Sequence, residues 1–176
     1  MHKIGQIFGC LIPVIVLGAL VIFLAGCESQ EKAKVEELKA ATRSIVEEAY
    51  NKGNLDVLDD FYTTDFVYHM PPYPDFEGLE AYKQYITDLR IGYPDIELTI
   101  DDLIGEGDIG AMRWTFRGTQ TGESPTLGIP PTGKQVTFTG CAVSHFVDGK
   151  IVETWNIVDY LGLLQKLGFK IIPPPK

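Results

Sequence analysis

The sequence predicts an α+β fold in which N-terminal helices pack on one face of a curved antiparallel sheet. Three observations predict it. In the first half, apolar residues recur at spacings of three, four and seven, which mark the buried faces of helices. After Tyr93-Pro94-Asp95 the apolar period falls to two, as in strands with one face buried. The helices also precede most of the strands instead of alternating with them, so they gather on one side of an antiparallel sheet.

The elements follow in order. Residues 27–32 read as a short polar tether and 33–170 as the domain. Val35, Leu38, Ile45, Val46, Ala49 and Tyr50 share one helical face, and Lys52-Gly53 ends that helix. Asn54 is placed to cap a second, short helix that turns Leu55, Leu58 and Phe61 inward. Asp65–Met70 alternates as a strand, and the prolines at 71, 72 and 74 force a loop after it. Gly78–Arg90 is helical, with Leu79, Tyr82, Ile86 and Leu89 on one face. Ile96, Leu98 and Ile100 then alternate with polar residues, Gly105–Asp108 turns the chain, and Met112, Trp114 and Phe116 alternate again. A loop rich in Gly and Pro spans Gly118–Gly133. Two long strands, Gln135–Val147 and Ile151–Val158, meet at Asp148-Gly149. A helix over Tyr160–Leu167 and a proline-rich tail, residues 171–176, close the chain. Helices over a curved sheet leave a pocket between them, and Tyr68, Trp114, Phe116, Phe138 and Trp155 are the aromatic residues expected to line it.

The first 26 residues read differently. Lys3 is their only formal charge, and an apolar run from Ile4 to Ala25 ends in Leu24-Ala25-Gly26-Cys27. A charged start, an apolar stretch and small residues before a cut site describe an export signal. With cysteine directly after the small residues, the segment resembles a bacterial lipoprotein signal. That resemblance implies cleavage before Cys27 and a lipid on its thiol. Two or more acyl chains hold a protein on a membrane where one does not. An uncleaved membrane-spanning helix is the other reading, since about 20 apolar residues suffice to cross a bilayer. Pro13 in its interior weakens that alternative. Both readings place the domain on the extracytoplasmic face of the membrane.

Composition limits the partners. The whole chain carries a formal charge of −9, and removing the signal with its single lysine makes the remainder one unit more negative. Phosphate backbones need basic surface, so a nucleic-acid partner is not expected. Of three cysteines, one leaves with the signal and Cys27 takes the lipid. Cys141 is left alone, without a disulfide partner. With His2 also in the signal, one thiol and the two remaining histidines, His69 and His145, are too few for a zinc site, and no metal is expected.

The second half carries specific strings: GIPPTGK at Gly128–Lys134, DGKIVETWNIVD at Asp148–Asp159 and LGLLQKLG at Leu161–Gly168. With YPD at Tyr93–Asp95 and GD at Gly107-Asp108, they resemble the SnoaL-like polyketide cyclases, also described as ester cyclases. The resemblance spans roughly Val35 to Gly168. It implies the cone-shaped NTF2-like fold, a small and largely apolar ligand in the cone, and ring closure by intramolecular aldol condensation without a cofactor. It also implies that two copies can pair through the open sheet face. In that family an aspartate on the final strand acts as general acid/base, with a histidine on the neighbouring strand. By the resemblance, the aspartate position holds Asn156 and the histidine position falls on Ala142. A positioned carboxylate is worth about 10²–10⁴ in rate. An amide donates and accepts hydrogen bonds but carries no proton to and fro.

Three readings of function therefore stand side by side. As an enzyme, the protein would use Asn156 to orient a carbonyl and His69 or Asp159 to titrate. As a binding module, it would use the same pocket without chemistry, and as a protein-interaction domain it would use the open sheet face. Asn156, Tyr68, Trp114, Phe138, Ala142, Thr154 and Trp155 are the expected pocket residues. His69 ends its strand near the expected cone mouth. Asp159 directly precedes the last helix, where it either caps that helix or reaches the pocket. Arg113 either binds an anionic ligand or lies on a solvent face beside Arg117.

The face of His145 depends on register. A three-residue loop with a glycine bulge sets Phe146 opposite Lys150 and Ala142 opposite Thr154, and turns His145 away from Asn156. A two-residue turn pairs Phe146 with Ile151 and moves His145 onto the face of Asn156. The first register is preferred because it keeps Ala142 and Asn156 together.

Overall fold

The computed structural model describes residues 30–123, 128–170 and 172. The segment expected to be an export signal, Cys27 and nearly all of the proline-rich tail lie outside the described residues. Helix α1 runs over residues 30–45 and closes through a π-helical segment, Val46–Lys52, at Gly53 in the left-handed conformation. Residues 30–32, read as tether, are therefore already helical. Leu38, Ile45, Val46, Ala49 and Tyr50 are buried, the face expected from their spacing.

Helix α2 (Val57–Phe61) starts at Asp56, so Asn54 does not cap it. The Asn54 backbone N–H instead bonds the Glu48 carbonyl at 2.8 Å, helping to close the π-helical turn. Strand β1 (Tyr62–His69) begins three residues earlier than its alternation shows, and a two-residue strand β2 (Phe76–Glu77) folds back on it. Helix α3 (Leu79–Gly92) leads to the strands β3 (Glu97–Glu106), β4 (Ile109–Thr119), β5 (Gln135–Val147) and β6 (Lys150–Val158). Helix α4 (Tyr160–Leu167) follows.

The six strands form one sheet in the order β2-β1-β6-β5-β4-β3. The sheet is mixed, not wholly antiparallel, because β1 pairs with β6 in parallel. Helix α3 carries the chain from the β1 side to the far edge. Three hairpin connections then bring it back, and β6 arrives beside β1 pointing the same way. A parallel neighbour needs such a long crossover, and nothing local in β1 announces it.

Alternation along β4, β5 and β6 sorts side chains between a covered inner face and an open outer face. Trp114, Phe116, Val136, Phe138, Ala142, Phe146, Thr154 and Asn156 are buried. Val143, Trp155 and Ile157 are exposed, as is Cys141. Across the open face, Trp155 on β6 has Val143 on β5 and His69 on β1 as its direct partners, one row over three strands.

Candidate ligand cavity

The cavity lies between α1, α3 and the inner face of the sheet. The space open to the centres of water molecules is about 80 Å³, several times the 10–15 Å³ or so that one water requires. Tyr50 reaches it from the π-helical turn, and Tyr82 and Tyr85 from one face of α3. Tyr62 and Tyr68 come from β1, Met112, Trp114 and Phe116 from β4, and Phe138, Ala142 and Ser144 from β5. Ile151, Thr154, Asn156 and Val158 complete the wall from β6, with Tyr160 from α4.

The phenols pack as a cluster. Tyr50 and Tyr82 share a hydrogen bond of 2.7 Å between their hydroxyls, and the Tyr68 and Tyr82 rings lie 4.7 Å apart. Burial pushes the pKa of Tyr50, Tyr62, Tyr68, Tyr82 and Tyr85 well above the ordinary phenol value. These hydroxyls stay protonated and act as hydrogen-bond donors and acceptors, not as bases. Single tyrosines on helix faces read as ordinary core in the sequence, so the cluster escapes notice there. Tyr82 and Tyr85, three apart on one helix, were the available signal.

At the β5–β6 wall, Asn156 is 4% exposed and Ala142 is its direct cross-strand partner. Asn156 Oδ1 accepts from Trp114 Nε1 at 3.1 Å. An indole N–H only donates, which fixes the amide with its oxygen toward Trp114 and leaves its NH₂ as the other pole. Trp114 can lie here because Gly140 has no side chain. A Cβ on Gly140 would stand 2.1 Å from the Trp114 ring and 2.6 Å from the Ile157 carbonyl. One strand pair further along, the Ser144 and Thr154 hydroxyls bond each other at 2.8 Å. None of the described lining residues carries a carboxylate, an imidazole or an amine.

The β5–β6 connection is a two-residue turn, with Asp148 and Gly149 both at positive φ (49° and 81°), and Val147 pairs with Lys150. Phe146 therefore pairs with Ile151, against the preferred register. An irregularity between His145 and Phe146 then leaves Val152 as an extra residue, so His145 pairs with Glu153 and Ala142 with Asn156. The bulge restores the alternation that the shorter turn would have reversed. His145 consequently stays on the outer face.

Tyr68, Trp114, Phe138, Ala142, Thr154 and Asn156 all line the cavity. His69 and Trp155 do not. They are direct partners on the outer face of β1 and β6, with their rings stacked at 3.9 Å. Trp155 is 45% exposed. It lies next to Asn156 along the strand, and alternation sends the two to opposite faces.

His69 Nδ1 lies 2.9 Å from Asp75 Oδ1, and Nε2 lies 2.9 Å from Glu153 Oε1. Neutral imidazole has one N–H, so serving both carboxylates as donor requires the charged form. Partial burial works against that charge, but the two carboxylates outweigh it and raise the pKa of His69. His145 Nδ1 stands 3.5 Å from the second oxygen of Glu153.

Asp159 Oδ1 accepts from the Gly162 backbone N–H at 2.8 Å. The carboxylate thus caps α4 and lies outside the lining. Arg113 pairs with Asp101 and Asp102 on the exposed sheet surface and does not enter the cavity.

The model of one family, the SnoaL-like polyketide cyclases, matches residues 40–167. The chain belongs to this family. Among curated proteins it is similar to aklanonic acid methyl ester cyclase DnrD of Streptomyces peucetius. The identity there is 26% over 125 residues, covering 69% of this chain and 84% of DnrD. Among solved structures it resembles TsrD from Streptomyces laurentii, with 30% identity and a TM-score of 0.68, covering 76% of this chain and 96% of TsrD. A SnoaL-like structure from Jannaschia sp. CCS1 superposes with a TM-score of 0.70 at 22% identity, covering 78% and 95%, and supports the fold alone. Within this SnoaL-like domain, the two positions that the resemblance gives to an acid and a histidine are Asn156 and Ala142. They face each other across β5 and β6 at the cavity wall.

Proposed function

We propose that this SnoaL-like domain binds a small, uncharged and largely apolar molecule in its cavity, and that it does so without closing a ring by the aspartate-driven aldol route. The reading rests on one observation above all, the Ala142–Asn156 pair. The two positions face each other at the cavity wall, but neither an amide nor a methyl group takes up or gives back a proton at neutral pH. A wall of neutral phenols, rings and aliphatic chains favours an uncharged ligand, because a buried ion without a partner is costly. The Asn156 amide supplies a directional hydrogen bond to a ligand oxygen.

We further propose that a lipid on Cys27 holds the domain on the extracytoplasmic face of the membrane. Among the described residues no helix is long and apolar enough to cross a membrane, and the reading rests on the Leu24-Ala25-Gly26-Cys27 string after the apolar run. In this setting the protein would meet its ligand outside the compartment in which the family's biosynthetic cyclases work.

The test has two arms. Membrane fractionation of wild type and Cys27→Ala reads the anchor, and the variant is expected in the soluble fraction. Wild type is then incubated with aklanonic acid methyl ester, the substrate named for the DnrD relative. Binding without conversion is expected. Turnover by wild type that persists in Asn156→Ala would sink the binding-only reading and move the chemistry to another group.

A further inference from the structure

Helix α1 begins at residue 30, three residues after Cys27. An extended chain covers at most about 3.6 Å per residue, so a lipid on Cys27 enters its membrane within about 11 Å of the first turn of α1. The fold fixes where that turn lies. Val35 packs on Gly105, where an added Cβ would stand 3.0 Å from its Cγ1. Lys34 Nζ is 3.6 Å from Asp108 Oδ1. In the π-helical segment that ends the helix, Asn51 Oδ1 accepts from the Leu98 backbone N–H at 2.7 Å. The helix thus runs antiparallel to β3, and its N-terminus points out past the β3–β4 turn. The Phe146 backbone N–H bonds the Asp108 carbonyl at 2.9 Å, which brings the β5–β6 turn to the same end of the sheet.

This end exposes aliphatic side chains beside its turns. Ile109 opens β4 and Val147 ends β5, 47% and 54% exposed. Ile104, two residues before Glu106, the direct partner of Ile109, is 68% exposed. A single exposed aliphatic calls for no explanation, but these three surround the turns past which the anchor is directed. The charges around them are mixed, with Glu106, Asp108 and Asp148 beside Lys34 and Lys150. Lys34 pairs with Asp108, and Lys150 donates to the Asp59 carbonyl. Such a surface gains by burying apolar area in an interface, not by meeting anionic headgroups. Val143, Trp155 and Ile157 are exposed further along the strands, away from these turns.

We propose that the turn-bearing end of the sheet rests on the bilayer that holds the Cys27 lipid, with Ile104, Ile109 and Val147 in the headgroup region. The proposal rests on the lipid-anchor reading above. It commits this surface to a lipid partner and stands the strands roughly upright on the membrane. The α4 end is tied to the start of β5 by Lys134 Nζ on the Leu167 carbonyl at 3.0 Å. It is then held clear of the lipid, since β5 extends up to about 40 Å from Gln135 to Val147.

The experiment places a tryptophan at either end of the lipidated full chain, Val147→Trp or Phe169→Trp. Phe169 lies just past α4 and is 47% exposed. Each variant is reconstituted in phosphatidylcholine vesicles with and without bromine high on the acyl chains, and the emission added over wild type is read. Val147→Trp is expected to add blue-shifted emission and to lose most of it in the brominated vesicles. Phe169→Trp is expected to lose none. Ile109→Trp, on β4, should repeat the Val147 result and guards against a disturbed β5–β6 turn. Emission that stays red and unquenched at both Val147 and Ile109 overturns the proposal, as does equal quenching at Phe169. So does blue-shifted emission without quenching, which would put a protein, such as a second copy of the chain, on this surface. Wild type that does not float with the vesicles overturns the anchor reading itself, an outcome distinct from the other three.

Discussion

The two faces of the β5–β6 hairpin differ in the chemistry they present. On the inner face stand Ala142, Ser144, Thr154 and Asn156, of which the two hydroxyls and the amide offer hydrogen bonds and none is an acid or a base. On the outer face stand Cys141, His145, Glu153 and Trp155, with His69 beside them on β1. Neighbours along one strand thus belong to separate chemical environments. The proton carriers that a catalytic reading needs are close in sequence to the cavity and shut out of it by alternation. Proximity in sequence is therefore a poor guide to a site built on strands.

Breaking the inner face should have the largest effect. Gly140→Ala drives a methyl group into the Trp114 ring and the Ile157 carbonyl, and the backbone carbonyl cannot yield as a side chain can. We expect a loss of about 3 kcal/mol or more, at the upper end of overpacking effects, read as a drop in denaturation midpoint with reduced ligand binding. Wild-type stability in this variant would mean that Trp114 is not held across Gly140.

A smaller effect is expected from Asn156→Leu. The substitution keeps the branching at Cγ but replaces the amide by two bulkier methyl groups and leaves the buried Trp114 N–H unpaired, the lost hydrogen bond alone costing roughly 1–3 kcal/mol. Asn156→Asp should be tolerated better, since either protonation state offers an acceptor to the indole. Chemical denaturation of both variants tests this order, and a reversed order would undo the assignment of the amide.

The outer face sharpens the contrast through pH. The pKa of His69 is raised in the folded protein by Asp75 and Glu153 against the opposing effect of partial burial. Its contribution to stability is therefore full below its unfolded value and is lost as pH rises through the folded one. Wild type should lose stability on going from mildly acidic to alkaline solution, and His69→Gln should flatten that slope. Ligand affinity should follow the His69 titration weakly or not at all, because His69 does not line the cavity. An affinity that tracked it would join the two faces functionally.

Much of this organisation is legible in the sequence, for definite reasons. The helix over Tyr160–Leu167 and the strand over Gln135–Val147 have the bounds expected of them, because period and flanking turn residues are local signals. Six of the seven expected pocket residues line the cavity for the same reason. What escaped depends on distant partners. The parallel pairing of β1 with β6 follows a long crossover through α3, and the extra residue at Val152 appears only in the register of β5 on β6. The bulge is instructive, because the turn has the length thought to bring His145 inward, yet one unpaired residue keeps it out. Trp155 is aromatic and expected in the pocket, yet it faces outward because its strand neighbour Asn156 faces inward.

The chain contains two tryptophans, and the sheet assigns one to each face. Trp114 is buried with its indole N–H committed to Asn156, whereas Trp155 is half in solvent against the His69 ring. Their emission should separate by wavelength, with the buried indole to the blue and the exposed one to the red. Quenching of the red component should follow protonation of His69, and a shift of the blue component should report occupancy of the cavity. The molecule thus carries its own two-colour optical gauge, one colour for each side of a single layer of backbone.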